Sequence, residues 1–183
     1  IQISIARQRH LLEQLLSLAR AQSPDAKRPL AAVNLQQLFR RILEELHPLA
    51  AAKGQDIGIA VERKCEIYAN ETEIYTLIKT LTDNAIRYTP ASGQIDLGFD
   101  DNDTHLTLWV EDNGPGIPPE ERRRVLDPFY RILGSEQQGT GLGLSIADTI
   151  AKRYRGKLIL SDNRRTGHGL LAQVELDKQT LQK

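Results

Sequence analysis

Residues 139–146 read "GTGLGLSI", with glycine at every second position from Gly139 to Gly143, and an apolar helical period starts directly behind them in "ADTIAKRY". The most permissive residues of the chain therefore lie against a helix start. A dinucleotide fingerprint of the form G-x-G-x-x-G fails here, because its last position is Leu144 or Ile146, and a Walker loop fails because no lysine follows the glycines. Two readings stay open. Backbone N–H groups at a helix start are unpaired and carry the positive end of the helix dipole, so glycines at 139, 141 and 143 would let them converge on phosphate oxygens and would also hinge the preceding segment as a lid. Alternatively, the stretch is a flexible loop ahead of a glycine-rich helix.

The rest of the chain narrows the choice. Its 183 residues suit one domain of ordinary size, and 40% apolar with 26% charged residues is the balance of a soluble globular protein. A formal net charge of zero removes any general electrostatic case for nucleic acid or for an anionic membrane surface. The single cysteine, Cys65, excludes an internal disulfide and a zinc cluster and suits a reducing compartment. No apolar run reaches the roughly 18 residues of a membrane span, and no signal peptide is present. The sequence has no methionine and opens inside a helical pattern, so it is expected to be a piece of a longer protein.

Periodicity supplies the elements. Residues 1–22 carry Ile5, Leu11, Leu12, Leu15, Leu16, Leu18 and Ala19 on an amphipathic stripe that is expected to pack on another chain or on a helix outside the sequence. Asn34 caps a helix, "LQQLFRRILEELHPLAAAKG", that ends at Gly54. "DIGIAVE" and "EIYA" read as short strands. Asn70 with Glu73 three positions on is a capping-box variant, opening a helix with the stripe Ile74, Leu77, Ile78, Leu81 and Ala85. "QIDLGFD" and "HLTLWVED" alternate on either side of a turn, and "KLILSDN" and "LLAQVEL" form a last hairpin. A short polar helix is expected from Pro118 to about Leu126, and another from Leu142 to Tyr154, stopped by Gly156. Three helices with about five strands predict an α+β fold, a two-layer α/β sandwich with a mixed, mostly antiparallel sheet. The boundaries read as a leading helix over 1–22, a linker over 23–32, the domain over 33–177 and a tail over 178–183.

Two polar residues stand out. Asn84 follows Leu77 by seven positions and Leu81 by three, which puts an amide on the face the helix should bury. It is either satisfied by a backbone carbonyl or offered to a hard cation such as magnesium, which takes oxygen ligands. Asp112 ends the apolar strand "LTLWV" and precedes Asn-Gly-Pro-Gly. It either closes a turn on the backbone two residues on, or faces a cleft and accepts from an exocyclic amine while the glycines admit a flat ring.

In combination these signals become specific. "LTDNAIRYTP", "VEDNGPGIPPE", "LDPFYR" and "GTGLGLSIADTIAKRYRG", in that order, resemble the N, G1, F and G2 boxes of the catalytic ATP-binding domain of bacterial sensor histidine kinases, over about residues 33–177. The nucleotide fold of that family is shared with type II topoisomerases, a heat-shock chaperone and mismatch-repair ATPases. The resemblance implies a Bergerat-type ATP-binding fold preceded by one helix of a dimerisation hairpin, with ATP and Mg2+ as ligands. It implies that Asn84 binds magnesium, Arg87 contacts phosphate and Tyr88 packs beside the nucleotide. Asp112 would accept from the adenine amine, with Gly114, Gly116 and Ile117 shaping the base pocket. Phe129 and Tyr130 would anchor the lid, Arg131 would lie near the phosphates, and Gly139, Thr140, Gly141, Leu142, Gly143 and Leu144 would wrap the triphosphate.

Some positions depart from the family. Thr80 stands where asparagine is common, four residues before the magnesium-binding one, and "DPFYR" and "GHGLLAQVEL" differ in lid packing and core filling. The phosphate-acceptor motif is missing: His10, His47, His105 and His168 are followed by Leu11, Pro48, Leu106 and Gly169. No catalytic residue is therefore expected within the sequence. The acceptor histidine would come from the protein's own dimerisation domain in a homodimeric parent, with a response-regulator receiver domain as the next partner. The domain itself would be cytoplasmic, and only segments outside the sequence would anchor the parent in the bacterial inner membrane. The alternative is a nucleotide-sensing interaction module that binds ATP without transferring phosphate. A coupled ATPase of the chaperone or topoisomerase type needs an acid near the metal, and Thr80 argues against it.

Overall fold

The computed structural model describes residues 29–61, 63–132 and 139–182, together with the helical residues Gln8, Leu11, Leu12, Gln14, Leu15, Leu16 and Ala19. Most of the expected leading helix, His10 included, lies outside the described residues. Of those described there, Leu11, Leu12, Leu15 and Leu16 are exposed.

The strands are β1 (Ala31–Asn34), β2 (Asp56–Ile59), β3 (Glu66–Ala69), β4 (Gln94–Asp101), β5 (His105–Asp112), β6 (Lys157–Asp162) and β7 (Leu170–Asp177). The helices are α1 (Leu35–Ala52), α2 (Glu71–Tyr88) and α3 (Gly143–Arg153). Five strands form one sheet in the order β2-β4-β5-β7-β6, in which only β2 and β4 run parallel, and β1 pairs antiparallel with β3 in a separate two-stranded sheet. The three helices pack against each other and on one face of the large sheet, so the α+β two-layer sandwich is the observed architecture.

Local chemistry sets each helix. Asn34 and Asn70 accept, through Oδ1, the N–H groups of Gln37 and Glu73 at 3.1 and 3.0 Å, pairing one orphan donor at each start. The expected reciprocal bond from Glu73 to the Asn70 N–H is not made. That N–H donates to the Tyr154 hydroxyl at 3.2 Å, and Tyr154 donates in turn to Glu73 at 2.9 Å. A tertiary partner thus replaces half of the capping box. Leu35, Leu38, Phe39, Ile42, Leu46 and Ala50 bury one stripe of α1, and Ile74, Leu77, Ile78, Leu81 and Ala85 bury the matching stripe of α2.

Three expectations change. β1 is a strand within a stretch read as linker and cap, because Ala31–Asn34 pairs in register with Glu66–Ala69. The helix expected from Pro118 is a run of turns ending in a short 3-10 helix, Arg124–Leu126. Only Val125 in that 3-10 helix is buried, too little to offset the cost of nucleating a helix. The stretch read as a tail packs on the domain: Leu181 is buried and its carbonyl accepts the Tyr68 N–H at 2.9 Å.

Alternation then aims the strand ends. In β5, Leu106, Leu108 and Val110 enter the core beneath the helices, so Asp112 points to that same side while Trp109 and Glu111 point to the outer face. Trp109 lies over Gly98, where a Cβ would approach its ring to 2.3 Å.

Candidate nucleotide site

Between the ends of α2, β5 and α3 lies a cavity of roughly 850 Å³. Helix α2 lines it with Thr80, Asp83, Asn84, Arg87 and Tyr88, a stripe at helical spacing beside the buried one. Asn84 is thus half-buried at the cavity wall rather than in the core. Among the described residues its amide has no hydrogen-bond partner. The first of its two readings, satisfaction by a backbone carbonyl, is therefore not realised. Arg87 Nη2 donates to Asp83 Oδ2 at 2.9 Å.

Asp112 closes the turn and also faces the cavity. Its Oδ1 accepts the Gly114 N–H at 2.8 Å, which is the turn, and the Leu170 N–H at 3.4 Å. Its Oδ2 has no partner among the described residues, and the side chain lines the cavity. Only 4% of Asp112 is exposed, and burial pushes its carboxyl up to about 6 against the opposing pull of the Gly114 and Leu170 amides. Gly114, Gly116, Ile117, Val125, Leu144 and Leu170 complete a mainly apolar wall. At Gly116, φ is +73° and a Cβ would come within 2.8 Å of the Gly169 carbonyl oxygen, so glycine is required.

The glycine stretch behaves as a tight junction followed by an open helix start. Gly141 has φ +73°, its carbonyl accepts the Phe129 N–H at 2.9 Å, and a Cβ would lie 2.7 Å from the Tyr130 carbonyl oxygen. Both flanks of residues 133–138 are joined there. Tyr130 lines the cavity, donates to Glu121 at 2.6 Å and lies under the Arg124 guanidinium. Phe129, read as a lid anchor, is instead 61% exposed. Its φ is +67°. Helix α3 starts at Gly143 with no side-chain cap.

Of the residues singled out in the sequence, Asn84, Arg87, Tyr88, Asp112, Gly114, Gly116, Ile117, Tyr130, Arg131, Gly139, Thr140, Gly141, Gly143 and Leu144 meet at this cavity. Leu142 does not. It is fully buried, one turn before Ile146 on the core stripe of α3, and only its neighbours reach the ligand side. The cavity also takes residues that sequence reading passed over: Gln14, Asp83, Pro90, Val125, Ile132, His168 and Leu170. Asp83 carried a signal in its i,i+4 spacing to Arg87. Gln14 carried none, yet it accepts a hydrogen bond from the Thr140 hydroxyl.

An α/β sandwich with a buried carboxylate facing an apolar slot, and an uncapped helix start nearby, has the make-up of a nucleotide-binding domain. The sequence matches the family described as histidine kinase-, DNA gyrase B- and HSP90-like ATPase over residues 69–180, and the chain belongs to that family. It is therefore an ATP-binding domain. Sensor protein kinase PmrB of Pseudomonas aeruginosa is 34% identical over 178 residues, covering 96% of this chain and 36% of that protein. Full-length ShkA, solved in complex with AMPPNP, is 27% identical with a TM-score of 0.79, over 91% of this chain and 35% of that one. A catalytic domain of histidine kinase ThkA is 27% identical with a TM-score of 0.72, over 82% of this chain and 96% of that one. The chain spans about a third of the length of the curated relatives it matches.

Proposed function

We propose that this domain holds Mg2+-ATP and presents its γ-phosphate to a histidine on a dimerisation helix outside the sequence, for relay to an aspartate of a response-regulator receiver domain. The observation that carries the nucleotide assignment is the division of labour at Asp112. One carboxylate oxygen is committed to two backbone amides, and the other is left open in an apolar slot. An exocyclic amine donates to such an oxygen, whereas the carbonyl of guanine at the same ring position repels it.

The remaining residues suit a triphosphate. The N–H groups at the uncapped start of α3 and the glycines before it are suited to phosphate oxygens, and Arg87 adds a positive charge at the wall. The free Asn84 amide oxygen fits a magnesium ion whose other ligands are phosphates and water, and Thr80 can hold one of those waters. No group of three or more His, Cys, Asp or Glu side chains suited to a metal occurs among the described residues. That composition matches a cation brought in by the nucleotide rather than a protein cage. Held there by Asn84 and the phosphates, magnesium would supply charge neutralisation for the phosphates. The protein's share is positioning, through Asn84, Arg87 and the α3 start.

By its resemblance to the sensor kinases, the parent protein is a homodimer anchored in the bacterial inner membrane, with this domain on the cytoplasmic side. Among the described residues no helix is long and apolar enough to cross a membrane. The test is transfer in trans. The domain is mixed with a separate dimerisation hairpin bearing the acceptor histidine and with γ-labelled ATP. Acid-labile, alkali-stable label on the hairpin is the expected result. Nucleotide binding with no label on the histidine would replace transfer by a sensing module.

A further inference from the structure

The loop between β6 and β7, residues 163–169, places His168 in the cavity wall and Gly169 against Gly116. Its bonds converge on one peptide. Asn163 is only 7% exposed, and its Nδ2 donates to the Asp112 carbonyl at 2.9 Å. Its Oδ1 accepts the N–H groups of Arg165 and Thr166 at 2.8 and 3.0 Å. At the far end of the loop, Gly169 has φ +97° and passes so close that a Cβ would lie 2.1 Å from the Asp112 carbonyl oxygen. The next residue, Leu170, is one of the two amides on Asp112 Oδ1.

The loop is also fastened on the opposite face of the sheet. Glu111 is buried and points away from the cavity, where its Oε1 accepts the Arg164 N–H at 2.6 Å. The Nε atoms of Arg164 and Arg165 lie 3.6 and 3.8 Å from the same carboxylate. Arg165 Nη1 reaches Asp96 at 3.0 Å, and the Arg164 guanidinium covers the Trp109 ring at 4.7 Å. The end of β5 is thus gripped from both faces by a single loop.

We propose that Asn163 is a positioning residue for base recognition. It fixes the peptide of Asp112 so that the open carboxylate oxygen faces the ligand's exocyclic amine, within a loop clamped to Glu111. Asn163 does not line the cavity, so its effect on a ligand is indirect, chiefly by way of Asp112, with His168 of the same loop and Leu170 behind it as the other wall residues the loop carries. Without the Nδ2 donor the buried Asp112 carbonyl loses its side-chain partner, which loosens the peptide that orients the carboxylate while Gly114 and Leu170 still hold its Oδ1. The inference rests on the ATP-site reading above.

The experiment compares ADP with IDP, which carries a carbonyl in place of the amine, by calorimetry on the wild-type protein and on Asn163→Asp and Asn163→Ser. The aspartate variant keeps an oxygen for the Arg165 and Thr166 N–H groups but replaces the donor by a charged oxygen. The serine variant shortens the side chain so that its hydroxyl falls short of the Asp112 carbonyl, and it adds no charge. Both are expected to bind ADP about tenfold more weakly with IDP binding little changed, so that the ADP-to-IDP ratio collapses toward one. The magnesium dependence of ADP binding should persist. A wild-type ratio in either variant, or equal loss of ADP and IDP affinity, would overturn the proposal and leave Asn163 a stability residue. Failure of the wild-type protein to distinguish ADP from IDP would instead overturn the site assignment beneath it.

Discussion

The two ends of the nucleotide cavity are built on opposite plans. Around Asp112 the protein closes nearly every bond itself: Gly114, Leu170 and Asn163 hold one residue, and Gly116 and Gly169 let backbones meet where a Cβ could not fit. Around Asn84 and Gly143 it leaves groups open, with an amide that has no partner among the described residues and a helix start that has no side-chain cap. The first plan costs stability by burying a carboxylate, and gains selectivity from a fixed acceptor. The second costs little in the free protein and waits for the ligand to complete it.

That contrast can be broken by mutation. The largest effect is expected from Gly169→Ala, because the new Cβ would strike the Asp112 carbonyl at a positive φ. A loss of roughly 3 kcal/mol or more is expected in urea unfolding. Gly167→Ala in the same loop, also at positive φ but with no atom within 4 Å, should cost only about 1 kcal/mol. Equal costs would mean that the loop yields and the base end is not tight.

Asp112→Asn should separate stability from binding. The folded protein raises this carboxyl from 3.8 to about 6, so the fold favours its protonated form. Its stabilising contribution is therefore complete below pH 4 and is lost as pH rises through 6. Asparagine removes that penalty, and unfolding at pH 7.5 should show a gain of roughly 2–3 kcal/mol that vanishes at pH 4. ADP affinity should fall by about 1–3 kcal/mol at the same time. In the wild-type protein, ADP should bind about tenfold more weakly at pH 5 than at pH 7.5, because the amine needs the ionised acceptor. A pH-independent affinity would show that Asp112 is only a turn residue.

At the open end the pattern should reverse. Asn84→Ala should change unfolding by less than about 0.5 kcal/mol, since nothing described pairs with the amide, yet abolish the gain in ADP affinity on adding magnesium. A similarly small cost in stability, with the magnesium dependence kept, is expected from Thr140→Val, which removes a long 3.3 Å bond to the Leu142 N–H and the contact with Gln14. About 0.5 kcal/mol is the expected cost.

How much of this was legible depended on whether the signal was local. The caps at Asn34 and Asn70, the stripes of α1 and α2 and the two hairpins follow from residues a few positions apart, and the sequence shows them directly. β1 could not be read, because "AAVN" has no strong alternation and its pairing with β3 is a tertiary fact. Glu73 kept its place in the capping motif but found Tyr154, 81 residues away, in place of the Asn70 N–H. Leu142 lies inside the glycine stretch, and only the packed period of α3 shows that it turns into the core. Asp112 was legible as two competing readings. The turn in the structure uses one carboxylate oxygen, which leaves the other available for the second reading.

The central claim is that the cavity selects adenine through Asp112. Calorimetric titration with ADP and with GDP, each with and without magnesium, tests it most directly. The account predicts that ADP binds at least about tenfold more tightly than GDP and that magnesium strengthens the ADP complex. Equal affinities for the two nucleotides, or no binding of either, would contradict it.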